Sequence, residues 1–165
     1  MTQTEPMQPR LDVARVAPGA REAMYGLEKY VHNSGLEPSL LELIKVRASQ
    51  INGCAYCVDM HTKDARAAGE TEQRLYAVAV WEEAPFFTER ERAALAWTEA
   101  LTVVSQGHAP DGVYKIAREH FNEKELVDLT MAIVAINGWN RLAVGFRAVA
   151  GSYQPPKQHQ AVREA

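Results

Sequence analysis

Across residues 11–151 the apolar side chains recur at intervals of three and four, and no stretch sustains the every-second-residue alternation of a half-buried strand. A chain patterned this way is confined to all-α folds, and the pattern predicts a compact domain of about seven helices. The first follows Pro18-Gly19, carries Ala20, Met24, Leu27 and Val31 on one stripe, and ends near Asn33-Ser34-Gly35. The second opens at Pro38-Ser39, buries Leu40, Leu43, Ile44 and Val46, and stops at Asn52-Gly53, where Gly53 suits a left-handed terminus. The third runs from Cys54 to Ala68-Gly69 with Lys63, Asp64 and Arg66 as solvated positions, and the fourth follows Thr71 with Leu75, Val78 and Ala79. Thr88-x-x-Glu91 is a capping box before the fifth helix, which carries Ala94, Trp97, Leu101 and Val104. A sixth covers Asp111 to Phe121. Asn122-x-x-Glu125 caps a seventh with Leu126, Leu129, Ile133 and Ile136, apolar on most sides and continuing through Trp139-Asn140-Arg141, with Gly138 as a place to bend.

With 165 residues the chain makes one ordinary domain, and residues 1–10 and 152–165 read as polar, proline-bearing tails around a domain at 11–151. The formal charge of -3 disfavours nucleic acid or an anionic membrane as partner. No apolar signal-peptide core stands in residues 1–10 and no uncharged run reaches a membrane span, so the expected location is the cytoplasm. In a reducing compartment two cysteines spaced Cys54-x-x-Cys57 point to redox chemistry or metal binding rather than to a structural staple.

Both cysteines and one of the five histidines fall within Cys54 to His61. On a helix starting at Cys54, Cys54 and Cys57 are i,i+3 neighbours and Cys57 and His61 are i,i+4 neighbours, so two thiols and an imidazole share a face. A free thiol is only about 3% thiolate at pH 7, and a helix N-terminus or an imidazole raises that fraction. Lowering the pKa by about two units multiplies the thiolate roughly 25-fold, but falling nucleophilicity leaves a net gain of only about 3-fold. Peroxide cleavage therefore also needs a proton for the departing oxygen, and His61 is the nearest source.

If the second and third helices form a hairpin turning at Asn52-Gly53, Glu42 lies opposite roughly residue 63 and within a turn of His61. A carboxylate there fixes the imidazole tautomer, leaving the other ring nitrogen to exchange a proton with Cys57. Glu42 has a competing reading, because Ser39-x-x-Glu42 is itself a capping box. Tyr56 reads as a packing residue with a hydrogen-bonded hydroxyl, Asp59 and Asp64 as solvated, and Trp81, Trp97, Phe86 and Phe87 as core, interface or pocket wall.

Glu42, eleven residues, Cys54, two residues, Cys57, three residues and His61 together resemble the motif of alkylhydroperoxidase D-like proteins in the carboxymuconolactone decarboxylase superfamily. Ile51-Asn52-Gly53 and Met60 to Arg66 also look like that family, with the resemblance strongest over about residues 35–105. It implies an all-helical fold assembling into homo-oligomers, often trimers or hexamers. It further implies Cys57 as peroxidatic cysteine, Cys54 as resolving cysteine, Glu42 and His61 as proton relay, and a dithiol or thioredoxin-like reductant. Tyr56 stands where some peroxidase members carry a histidine, and a phenol is a poor base at pH 7.

The expectation is an oxidoreductase that reduces hydrogen peroxide or organic hydroperoxides without metal, flavin or haem, the apolar surroundings favouring an organic substrate. Two alternatives stand beside it. One is a thiol–disulfide exchange protein without peroxidase turnover; the other is a non-enzymatic oligomeric module with a zinc or structural thiol site.

Overall fold

The periodicity resolves into helices throughout, with no strand among the described residues, which in this computed structural model are 7–156. In chain order they are α1 (Val13–Val16), α2 (Pro18–His32), α3 (Pro38–Ile51), α4 (Ala55–Ala67), α5 (Glu72–Ala77) running into a 3-10 turn (Val78–Val80), α6 (Glu89–Thr102), α7 (Val104–Gly107), α8 (Asp111–His120) and α9 (Glu123–Phe146). The seven expected helices are all present, and the count rises because α1 and α7 are single turns. Four residues are too few to express a helical period, so neither is readable from patterning. The cysteine motif therefore heads α4 rather than a third helix.

Local signals explain most of the boundaries. Thr88 with Glu91 and Asn122 with Glu125 form complete capping boxes, each satisfying two end groups that α6 and α9 would otherwise leave open. Asp12 caps α1 by accepting from the Ala14 and Arg15 N–H groups. Gly138 does not interrupt α9. A Cβ at that position would lie 2.9 Å from Met24 Cε, so its missing side chain serves the approach of α2.

α3 is the axis of the molecule. Leu43, Ile44 and Val46 carry no exposed surface, and successive faces of the helix enter two apolar clusters. One joins Ile44 to Val31, Trp97, Phe121, Leu129 and Ile133; the other joins Leu43 and Val46 to Leu75, Val78, Trp81 and Leu95. Each fully buried side chain of this kind contributes about 1.5–3 kcal/mol. On α9 the expected stripe of Leu126, Leu129, Ile133 and Ile136 is buried, whereas Val127 and Val134 on its outer side are exposed.

The α3–α4 hairpin closes through a helix-ending turn whose bonds are all made. Gly53 adopts the left-handed conformation expected of it at φ +65°, its N–H donates to the Gln50 carbonyl at 3.2 Å, and the Cys54 N–H donates to the Ser49 carbonyl at 2.9 Å. This turn sets the register of the functional side chains on the two helices. No helix among the described residues is long and apolar enough to cross a membrane.

Both segments read as tails touch the folded body. The Arg10 N–H donates to the Phe146 carbonyl at 2.9 Å and its guanidinium to the Gly145 carbonyl at 3.0 Å. At the other end Tyr153 is half-buried against α4. Much of each tail lies outside the described residues.

Candidate active site

Cys54 is the N-cap of α4, extended at φ -85° and ψ 92°, so it stands one residue outside the helix rather than in its first turn. Its Sγ accepts from the Cys57 N–H at 3.3 Å, a capping role usually filled by an oxygen. Cys54 and Cys57 are joined by a disulfide with their Cα atoms 5.4 Å apart, and they keep only 1% and 2% of their surface exposed. The convergence of the two sulfurs at the opening of one helix is as expected.

One turn further on, His61 is buried and its Nδ1 lies 2.9 Å from Glu42 Oε2. The hairpin geometry therefore resolves the ambiguity at Glu42. α3 begins at Pro38 with Glu37 as its N-cap, Ser39 lies inside the helix, and no side chain caps that end. Burial pushes the Glu42 carboxyl up, but the hydrogen bond and charge of His61, aided by Lys45, outweigh it and hold the group below the usual carboxylate range. An ionised carboxylate only accepts, so Nδ1 carries the hydrogen and, on the neutral ring, Nε2 is left with a lone pair.

Lys45 completes this arrangement and was not singled out in the sequence. It is buried, with Nζ 3.6 Å from Glu42 Oε1 and 3.3 Å from Glu28 Oε2 on α2. The available signal was the i,i+3 spacing of Glu42 and Lys45 on a helix with an apolar opposite face. A small cleft of about 180 Å³, bordered by Ser39, Glu42, Ala65 and Gly69, opens beside the carboxylate.

The supposedly solvated residues of α4 are engaged. Asp59 pairs with Lys63 at 2.9 Å and accepts the Gly151 N–H at 3.0 Å; Lys63 also donates to the Tyr153 carbonyl at 3.0 Å, and Asp64 accepts from the Tyr153 hydroxyl at 2.7 Å. Ligand atoms of Glu42, His61 and Asp64 lie within 4.8 Å of one another. This donor set excludes both sulfurs, and Lys45 and Tyr153 already hold its carboxylates. It does not correspond to a zinc site built on the cysteine pair, whose sulfurs are bonded to each other here.

Behind the cysteine turn an amide network ties α3 to α9. Asn52 donates to Asn137 Oδ1 at 3.0 Å and to Asn140 Oδ1 at 2.9 Å, while the buried Asn140 donates to Ser49 Oγ at 3.0 Å. Trp139-Asn140-Arg141 thus supplies, in Asn140, a pin for the segment leading into Cys54. Tyr56 is half-buried, and among the described residues no group hydrogen-bonds its hydroxyl, contrary to expectation. Trp81 is buried and donates to Glu99 at 2.7 Å; Trp97 donates to Thr130 at 3.0 Å and forms, with Tyr114, Val127 and Met131, a wall of a separate groove of about 320 Å³.

Comparison with known proteins places this geometry in a family. Residues 18–100 match the model of the carboxymuconolactone decarboxylase family. The uncharacterized protein YdfG of Bacillus subtilis (strain 168) is 42% identical over 146 residues, covering 88% of this chain and 99% of that protein. A crystal structure of a protein of unknown function from Agrobacterium tumefaciens, described as a candidate AhpD antioxidant defence protein, is 47% identical with a TM-score of 0.86, covering 88% of this chain and all of that one. The debrominase Bmp8 shares the fold alone, at 21% identity and a TM-score of 0.74 over 82% of this chain and 73% of its own. With Cys54, Cys57, His61 and Glu42 gathered at one helix hairpin inside this fold, the chain belongs to the carboxymuconolactone decarboxylase family, as an alkylhydroperoxidase D-like member.

Proposed function

We propose that this protein is a thiol-dependent peroxidase that reduces hydrogen peroxide or an organic hydroperoxide. In the reduced state the Cys57 thiolate attacks the terminal peroxide oxygen, the O–O bond breaks, and the departing alkoxide or hydroxide takes a proton. His61, with Nδ1 bound to Glu42, exchanges that proton through Nε2. Cys57 sulfenic acid then condenses with the Cys54 thiol, forming the disulfide and releasing water, and a dithiol or thioredoxin-like reductant restores both thiols. The cycle requires no metal, flavin or haem. We place it in the cytoplasm, in a homo-oligomer of three or six subunits.

The observation that carries this reading is the Glu42–His61 hydrogen bond on the turn directly following a bonded cysteine pair. An imidazole whose tautomer is set by an ionised carboxylate is what the proton step calls for. Peroxide-dependent thiol loss in the reduced protein tests it. Wild type should lose both thiols per peroxide and turn over with dithiothreitol. Cys57→Ser should consume no peroxide, whereas Cys54→Ser should react once and stop at a trappable sulfenic acid. The opposite pattern exchanges the cysteine roles, and disulfide formation without turnover leaves a thiol–disulfide exchange protein.

A further inference from the structure

A helix that is apolar on most sides is stable only when most sides are covered, yet α9 is covered over part of its circumference. Leu126, Leu129, Ile133 and Ile136 face inward, whereas Val127 and Val134 keep 57% and 49% of their surface exposed. Those two valines belong to an outer stripe that steps by four and three residues: Glu123, Val127, Thr130, Val134, Asn137 and Arg141. Along its N-terminal half runs the groove of about 320 Å³ whose opposite wall includes Trp97 and Tyr114.

The polar side chains in the middle of the stripe are already satisfied within the chain. The Thr130 hydroxyl donates to the Leu126 carbonyl at 2.8 Å and accepts from Trp97 Nε1 at 3.0 Å. Asn137 donates to Thr102 Oγ1 at 3.1 Å and to the Ile133 carbonyl at 3.0 Å, and its Oδ1 accepts from Asn52 and from Arg141, each at 3.0 Å. A second apolar surface laid over Val127 to Asn137 therefore strands no side-chain donor or acceptor, which removes the usual penalty for burying polar groups.

Charge stands at the two ends. Glu123 reaches into solvent with its side chain 91% exposed and its carboxylate 3.5 Å from Arg118. Arg141 is exposed at the other end, bonded to Asn137 of its own helix and, among the described residues, paired with no carboxylate. Arg10 adds a second positive charge there, its guanidinium donating to the Gly145 carbonyl at 3.0 Å. Glu123 and Arg141 are about five helical turns apart, so both project at the same angle with about 27 Å between them.

We propose that this stripe is the contact between two copies of the chain, with α9 packed antiparallel to α9 of the partner subunit about a two-fold axis that passes between Thr130 and Val134. In that arrangement Glu123 meets Arg141 of the partner subunit, Arg141 meets Glu123 of the partner subunit, and Val134 of the partner subunit lies against Thr130 at the edge of the groove. A different protein would need an apolar stripe of the same length with its charges in reverse order, and an inverted second copy of α9 supplies both. Antiparallel packing also sets each helix N-terminus beside a C-terminus, so the helix dipoles attract. The contact rests on the homo-oligomer proposed above and not on the peroxide chemistry. It selects six subunits over three, because a two-fold contact joins subunits in pairs.

Sedimentation equilibrium of the full chain in the disulfide form, over a range of concentrations, tests the contact. Wild type should be an even-numbered oligomer. Val134→Glu brings a charge to the axis from both copies and should weaken the contact about 100-fold or more, halving the subunit count. Glu123→Lys and Arg141→Glu should each weaken it about 3- to 30-fold, since each sets like charges together at two places. The double variant exchanges the charges in both copies and should recover most of that loss. All three positions are exposed in the single chain, so helical circular dichroism should not change. An odd subunit count in wild type, an undiminished mass in Val134→Glu, or a double variant no tighter than the single exchanges overturns the proposal. A monomer or trimer that turns over peroxide would remove this contact and keep the peroxidase reading; an even-numbered oligomer without turnover, dissociated by Val134→Glu, would do the reverse.

Discussion

Glu42 holds three relations at once: a hydrogen bond to His61, an ion pair with Lys45, and a wall of the small cleft. Replacing its carboxylate with an amide keeps the size but removes the charge that pairs with a protonated ring. Glu42→Gln should therefore slow peroxide-dependent thiol loss by about 10-fold or more, read as the rate constant in single-turnover stopped flow; a wild-type rate would leave Glu42 with a structural part only. The Glu42–His61 contact was legible in the sequence because a helix hairpin with a short turn makes spacing along the chain equivalent to position across it. Lys45 was half legible, since its spacing to Glu42 is local but Glu28 is on another helix. Tyr153 on Asp64 was not legible, because the two are 89 residues apart and nothing near either residue marks the other.

At the scale of elements, the cysteines depend on how α3 ends and what that end rests on. Gly53, the Ser49 and Gln50 carbonyls and the Cys54 N-cap form one continuous set of backbone bonds, and Asn140 on α9 holds Asn52 and Ser49 from behind. Asn140→Ala would leave the buried Ser49 hydroxyl without its donor and empty an amide-sized space at the α3–α9 contact. The expected cost is about 2–3 kcal/mol of folding stability, measured by urea unfolding of the oxidised protein. A loss below about 0.5 kcal/mol would show that the network does not anchor the turn. Caps and helix spans were readable here because Thr88-x-x-Glu91, Asn122-x-x-Glu125 and Asn52-Gly53 are signals whose partners lie within a few residues. The amide network was not, because Asn52 and Asn140 are separated by 88 positions.

Over the whole molecule, charge is arranged so that acid should unfold it. Burial raises the carboxyls of Glu42, Glu91 and Asp128, but bonds and charges from His61 with Lys45, from Arg74 with Thr88, and from Lys124 with Tyr30 outweigh it and leave all three below the ordinary range. Groups lowered on folding bind fewer protons in the native state than in the unfolded one. Their stabilisation is complete above the unfolded values near about pH 4 and is lost as pH falls through the lower folded values. Urea midpoints should hence fall steeply below about pH 4; a midpoint that stays level or rises as the pH drops below about 4 would contradict the assignment of these pairs.

By itself the sequence determined that the chain is helical, where its principal helices begin and end, and that two cysteines, a histidine and a glutamate meet at one hairpin. Each of those follows from forces acting over a few residues: backbone capping, helical period and a short turn. Tertiary structure alone decided that α3 is shared by two apolar clusters, that Asn140 supports the cysteine turn, and that a segment read as tail returns to set Tyr153 against Asp64. Those contacts join residues distant in the chain, and which distant surfaces meet depends on packing all the helices together.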